Sequence, residues 1–330
     1  MIQPAKQTFD VLVLGAGAAG LMCAVEAGKR GKRVAVLDHA ERIGKKILIS
    51  GGGRCNFTNL HCRPENFLSG NPHFAKSALA RYTPANFISL VERHNIAYHE
   101  KTLGQLFCDG SARQIVAMLE EECRAAGVQI FLNARVTEVR NSIGFQVRTA
   151  DAEFSAAALV VATGGLSIPK MGATAFGYEL AAQFGIAVRD CRPALVPLLF
   201  SSNDLTHYGD LAGVSTEVEA RFQAHEFREK LLITHRGLSG PAVLQISSYW
   251  KPGEPLEIDL APGQEWTAPL RDARVPRTAA TGRNLLRAVL PQRLADRRFE
   301  LHPPVAWTNP AIAQWEQGLH RWTVLPAGTE

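Results

Sequence analysis

The sequence predicts an α/β protein: a parallel sheet with crossover helices first, then a β-rich part carrying a short helical piece. Three observations predict it. Residues 9–38, FDVLVLGAGAAGLMCAVEAGKRGKRVAVLD, run from an apolar stretch through a glycine turn and a small-residue helix to a second apolar stretch that ends in an acid. Further on, apolar runs at 128–132 and 158–162 are separated by short extended pieces rather than a helix. After Phe200 the pattern turns to alternating strands.

In the first stretch Gly15, Gly17 and Gly20 stand as G-x-G-x-x-G between a strand and a helix, the setting that a dinucleotide fingerprint requires. Gly15 permits the sharp turn, Gly17 lets backbone approach a pyrophosphate, and Gly20 brings the helix close to the sheet. The backbone of Ala16, Ala18 and Ala19 completes the turn, and the helix start offers free N–H groups and partial positive charge to phosphates. Asp38 ends the second strand, where its carboxylate can accept both hydroxyl hydrogens of a ribose. This is a Rossmann-type unit.

Residues 41–59, ERIGKKILISGGGRCNFTN, follow. Three consecutive glycines flanked by Lys45, Lys46 and Arg54 suit a loop whose N–H groups form a nest against a ligand. Gly53, Arg54 and Cys55 are candidate contacts. Thr83-Pro84 predicts a helix start, as does Ser111 before apolar residues at helical spacing that close at Gly127. His94 and His99 have no third ligand nearby, so no metal site is expected.

Residues 128–132 read as the third strand. Extended pieces at 135–139, 145–149 and 153–155 follow, then a buried strand at 158–162 that runs into Thr163, Gly164 and Gly165. A three-stranded excursion in place of a crossover helix typifies flavoproteins with two dinucleotide-binding domains, and it favours FAD over NAD as the held nucleotide. Residues 177–184 predict a helix stopped by Gly185. Pro193 and Pro197 mark the exit, so the boundaries expected are 1–196 and 197–330. In the second part, strands are expected at 214–222, 230–234 and 256–260, and one helix at 282–298 with Leu285, Leu286, Val289 and Leu294 inward and its arginines outward. His235 before Gly237, Ser239 and Gly240 could face a substrate or simply pack in a turn; the G-x-S-x-G spacing of a nucleophile elbow is absent.

Composition narrows the partners. A chain of 330 residues exceeds one typical core. The apolar fraction is 46% and the charged fraction 20%, ordinary for a globular protein. No apolar run approaches the ~18 residues of a membrane span, and the start lacks a signal-peptide pattern, so the expected location is cytoplasmic with no membrane partner. Six cysteines form no C-x-x-C pair. Net charge is +5, with eight arginines between positions 271 and 298. Without an aromatic RNA-binding signature these read as a solvated helix face, and nucleic acid is not the expected partner.

The strings GAGAAGL at 15–21 and GKKILISGGGRCNFTN at 44–59 are similar to those of the BaiN/RdsA-type, or YhiN-like, NAD(P)/FAD-dependent oxidoreductases. Residues 164–199 and LLITHRGLSGPAVLQIS at 231–247 resemble the family too, and the resemblance extends over most of residues 10–330. It implies a Rossmann-type FAD-binding domain with a β-meander, plus an inserted β-barrel-like domain with a small helical subdomain. Members have been described as bile-acid dehydro-intermediate reductases and aminoacetone-oxidase-like enzymes. The resemblance implies FAD as cofactor, a small-molecule substrate, and the backbone of Val136 near the adenine. No second G-x-G-x-x-G exists, so NADH or NADPH would dock transiently as donor. The flavin would supply electron transfer, the protein position and electrostatics. No catalytic acid, base or nucleophile stands out; Lys45, Arg54 and His235 are candidates only.

Three departures accompany the resemblance. Asp38 stands where many members have Glu, and Phe107-Cys108 where members commonly show Phe-Pro. The chain ends at WTVLPAGTE, where members continue into a segment expected to add a last strand and close over the flavin, so a missing segment or an oligomer partner is expected to complete the fold. The rival expectations are a non-catalytic dinucleotide-binding remnant and a flavoprotein acting on RNA.

Overall fold

The computed structural model describes residues 5–168 and 171–330, and the side chains from residue 6 on. The chain divides into two compact units, one ending at Asp190 and one running Cys191–Glu330. No helix among the described residues is long and apolar enough to cross a membrane.

In the first unit, β1 (Ala5–Leu14) enters α1 (Ala18–Lys29) and returns as β2 (Val34–Leu37), the predicted strand-helix-strand. α1 approaches closely because Gly28 has no side chain: a Cβ there would stand 2.4 Å from the Ala126 carbonyl oxygen. A short helix α2 (Lys45–Ile49) leads to a small antiparallel sheet made of β3 (Asn56–Asn59), β4 (Tyr98–Glu100) and β5 (Gln105–Cys108). Between β3 and β4 lie α3 (Lys76–Arg81) and α4 (Pro84–Arg93), and Thr83 caps α4 by accepting from the Asn86 amide. Ser111 caps α5 (Ala112–Ala125) in the same manner, as its sequence predicts.

The main sheet is completed by β6 (Gln129–Phe131), β7 (Val136–Ser142), β8 (Gly144–Thr149) and β9 (Ala152–Val161), in the order β6-β2-β1-β9-β8-β7. The first four of that order are parallel, while β7 and β8 form an antiparallel meander. The sequence suggested separate strands at 153–155 and 158–162. They are one strand, because only Ala156 and Ala157 lie between them and ten-residue β1 pairs with β9 from Ala152 to Val161. β8 covers β9 only as far as Ala156; beyond it, β9 pairs on one side alone among the described residues, and Val161 is exposed. The expected buried strand is therefore half open. α6 (Phe176–Gln183) follows, and Gly185 in a left-handed conformation ends it.

The second unit is built on an antiparallel sheet of β10 (Leu198–Leu199), β11 (Ser215–Phe222), β12 (His225–Ile233), β13 (Gly237–Ser239), β14 (Leu256–Asp259), β15 (Trp322–Val324) and β16 (Gly328–Thr329). Its order, β15-β14-β11-β12-β13-β10-β16, is open, with the short β15 and β16 at the edges, where a barrel-like closure was expected. Five helices accompany it: α7 (Ser202–Tyr208), α8 (Pro241–Ser247), α9 (Ala279–Val289), α10 (Gln292–Leu301) and α11 (Asn309–His320). The single helix expected at 282–298 is thus two. Pro291 lacks the amide a continuing helix needs and holds Leu290 extended. Leu286 and Leu294 are buried and Leu285 and Val289 partly so, but Arg298 is buried as well, at 5% exposure, so not every arginine faces outward.

Candidate functional site

The glycine turn sits at the carboxyl ends of β1, β2 and β9, where open α/β sheets bind their ligands. Its three glycines answer to different constraints. Gly15 has φ +108°, and a Cβ there would stand 2.4 Å from the Ala162 carbonyl oxygen. At Gly20 a Cβ would stand 1.9 Å from the carbonyl oxygen of Gly15 itself. These two are glycine because the protein's own backbone fills the space. A Cβ at Gly17 would meet nothing within 4 Å, and its φ of −83° suits any residue. Nothing internal demands glycine at 17; the space beyond it opens in front of the first turn of α1, where Ala18 and Ala19 are exposed. Their amides precede the first intrahelical bond and are free to meet an anion.

Beside this turn is a cavity of about 270 Å³, near the lower end of the ~300–1,000 Å³ typical of ligand pockets. Gly15, Asp38, Val136 and Thr163, all singled out in the sequence, line it together. Among the other lining residues, His39, Arg135, Phe176 and Glu179 had not been foreseen as contacts. The strand-end rule could have found His39 and Arg135, which adjoin foreseen positions. Phe176 and Glu179 carry no local signal, since only tertiary packing brings α6 here.

Asp38 does structural work. Its Oδ2 accepts from the Ala16 amide at 2.6 Å and its Oδ1 from the Ala40 amide at 2.8 Å, tying the end of β2 to the glycine turn. Each oxygen keeps a second lone pair, so both ribose hydroxyls can still be accepted. The shape and donor set therefore fit the adenosine and pyrophosphate half of a dinucleotide.

The 44–59 segment starts at the same turn, with the Gly44 amide donating to the Ala16 carbonyl at 2.9 Å. Lys45 is held by Glu41 at 3.3 Å. Its neighbour Lys46 instead reaches Ser167 Oγ at 2.9 Å, beside Gly164 and Gly165, so Lys46 is the cation at that second turn. Gly51, Gly52 and Gly53 have φ of 57°, 66° and 87°, a run only glycine adopts readily. The loop folds back on Phe107, whose ring would lie 2.6 Å from a Cβ at Gly51. Arg54 is exposed, and Cys55 is buried with φ 53°. Burial pushes the Cys55 thiol up, and pushes Cys108 up to about 11 with Cys55 beside it, so neither is a ready nucleophile near neutral pH.

His94 and His99 face carboxylates, Glu122 at 3.0 Å and Asp109 at 2.6 Å. His235 is exposed at the tip between β12 and β13, a turn closed by Thr234 and Gly237. The arginines of 271–298 are engaged internally: Arg287 with Asp296, Arg297 with Asp210, Arg274 with Asp272, Arg277 with backbone carbonyls and Asn309.

The HI0933-like protein Rossmann domain matches residues 9–283. The ribosomal RNA dihydrouridine synthase of Escherichia coli is 46% identical over 331 residues, covering 98% of this chain and 83% of that protein. Its namesake in Haemophilus influenzae is 43% identical over 345 residues, covering 98% and 84%. More distant is the 3-dehydro-bile acid delta(4,6)-reductase of Clostridium scindens, 28% identical over 331 residues, 92% of this chain and 78% of that protein. With the fingerprint, the meander and these matches in place, the chain belongs to the HI0933-like family, the BaiN/RdsA-type flavoproteins with a Rossmann-type FAD-binding domain.

Proposed function

We propose that this protein is an FAD-dependent reductase that converts uridine in ribosomal RNA to dihydrouridine. The observation that carries the proposal is identity of 46% and 43%, across 98% of the chain, with two proteins named for that activity. Composition had set nucleic acid aside as a partner; those names argue the other way, and we follow them. The expected cytoplasmic location agrees with such a substrate.

For the cofactor, the cavity at Gly15, Asp38, Val136 and Thr163 would take the adenosine. The turn from Gly15 to Gly20, with the amides of Ala18 and Ala19, would meet the pyrophosphate. Gly164, with Lys46 beside it, and the nest at Gly53, with Lys45, Arg54 and Cys55, would lie along the rest. Bound there and reduced, FAD would supply the hydride chemistry that, with one proton, a C5=C6 bond of uracil needs to be saturated. NADH or NADPH, docking transiently, would restore the reduced state.

The test is direct. The purified protein should show a flavin spectrum that NADH or NADPH bleaches anaerobically. Unmodified ribosomal RNA added afterwards should gain two hydrogens at a uridine, read by mass spectrometry, as the colour returns. A second reading, reduction of a small organic substrate, has the Clostridium scindens relative in its favour. Reoxidation by a conjugated enone with no change in RNA would replace the first reading by the second.

A further inference from the structure

The second unit holds a groove of about 810 Å³ that the cofactor reading does not use. α7, α10, α11 and β15 wall it, with Trp266, Trp315 and Trp322 among its lining residues. Trp266 and Trp315 pack edge to face with centroids 4.5 Å apart, and Trp315 keeps part of its ring open.

The charge in its wall is unusual. Arg298 is 5% exposed, donates to Tyr208 Oη and to the Gly318 carbonyl at 3.0 Å each, and lies 5.6 Å from the Trp322 ring centre. Among the described residues no carboxylate pairs with it, and its Nε has no acceptor. Trp266, 4% exposed, likewise has an indole N–H without a partner. A buried cation ordinarily has a counter-ion, and a buried donor an acceptor. Arg321 adds a second positive charge at the rim, exposed and unpaired among the described residues, while Asp204, the acid in the lining, accepts from Ser201 at 2.8 Å. Tryptophan surface, excess positive charge and idle donors together fit a flat ring bearing carbonyl oxygens and an anionic group.

We propose that this groove binds a nucleotide of single-stranded RNA, its base against the part-open ring of Trp315 and its phosphate at Arg321 and the uncompensated charge of Arg298. Stacking on aromatic surface with a cation alongside is how single strands are held without base pairing. The site stands on the second unit alone; its assignment to RNA rather than to a free nucleotide rests on the function proposed above.

The experiment is tryptophan-fluorescence titration of the whole chain carrying Gly17→Val, which takes the dinucleotide turn out of play. Uridine 5′-monophosphate should quench saturably; uridine and inorganic phosphate should bind more weakly by about tenfold, each lacking one half of the contact. A uridine-rich single-stranded oligonucleotide should bind more tightly than the mononucleotide and weaken as salt rises. Arg321→Gln, a rim change, and Trp266→Phe, which removes the idle N–H and keeps an aromatic ring in a smaller side chain, should each weaken the mononucleotide by about tenfold. No saturable quenching, or unchanged affinity in both variants, overturns the site. Mononucleotide binding with no tighter hold on the oligonucleotide overturns its assignment to RNA. Dihydrouridine formation, measured separately with Gly17 intact, tells failure of this site from failure of the activity: groove variants that leave RNA binding and reduction untouched sink the former alone.

Discussion

At the scale of single residues, the glycine turn separates stability from binding. Gly20→Ala would drive a Cβ into the Gly15 carbonyl, which is backbone and cannot swing aside. It should destabilise the first unit by about 3 kcal/mol, read as a lower urea midpoint. Gly17→Val meets open space at an ordinary φ, so beyond about 1 kcal/mol for a poorer helix cap the fold should hold while ADP binding is lost. ADP binding that survives Gly17→Val would place the phosphates elsewhere. Asp38→Ala should weaken ADP by about 1.5–3 kcal/mol through lost bonds to a charged acceptor, and should leave flavin mononucleotide, which lacks the adenosine ribose, unaffected. Some stability should go with it, since the Ala16 and Ala40 amides lose their acceptor.

At the scale of elements, helix glycines again divide by what faces them. Alanine ordinarily stabilises an exposed helix interior by about 1 kcal/mol over glycine. Gly318→Ala in α11, where a Cβ meets nothing within 4 Å, should show that gain. Gly28→Ala in α1 should reverse the sign, because the Ala126 backbone at 2.4 Å must move; thermal melts of the two variants check it. α1 and α5 are also clasped by Glu122, which binds Lys29 at 2.5 Å and His94, the cap of α4, at 3.0 Å. These partners, Lys29 first, hold the Glu122 carboxyl below its usual 4.5. A lowered pKa stabilises the fold above the unfolded value and loses that contribution as pH falls through the folded one. Glu122→Gln should therefore flatten the loss of stability below about pH 4.5, seen in acid titration of the melting temperature.

At the scale of the whole molecule, each unit has its own core. One apolar cluster runs through residues 198–324, and two others lie wholly within 9–184. Calorimetry should resolve two transitions, with ADP raising only one of them, by about 2.7 kcal/mol at a hundredfold excess over its dissociation constant. A single transition shifted as a whole by ADP would contradict this. The arginines of 271–298 also change meaning at this scale. As a string they suggest a charged surface, but folded most are tied to acids and carbonyls of the same unit, while Arg298 is buried with no carboxylate partner among the described residues.

The sequence alone determined whatever is settled within a few residues or by one strand-helix-strand repeat. The glycine turn, the acid at Asp38, the caps at Thr83 and Ser111, and the family strings at 15–21 and 44–59 are of this kind, because sterics and hydrogen bonds along a short stretch leave few alternatives. Contacts between distant stretches were decided by the tertiary structure. Lys45 and Lys46 are indistinguishable in the string, and only the return of residues 164–167 beside α2 selects Lys46. The break between strands at 155 and 158 vanished because ten-residue β1 lay alongside to pair with both. Phe176 and Glu179 joined the cavity beside Gly15 and Asp38, and Arg298 was buried without a counter-ion among the described residues, through packing that no local pattern records. A chain's spacing encodes which face a residue shows its neighbours; which partner arrives at that face is settled when the elements close on one another.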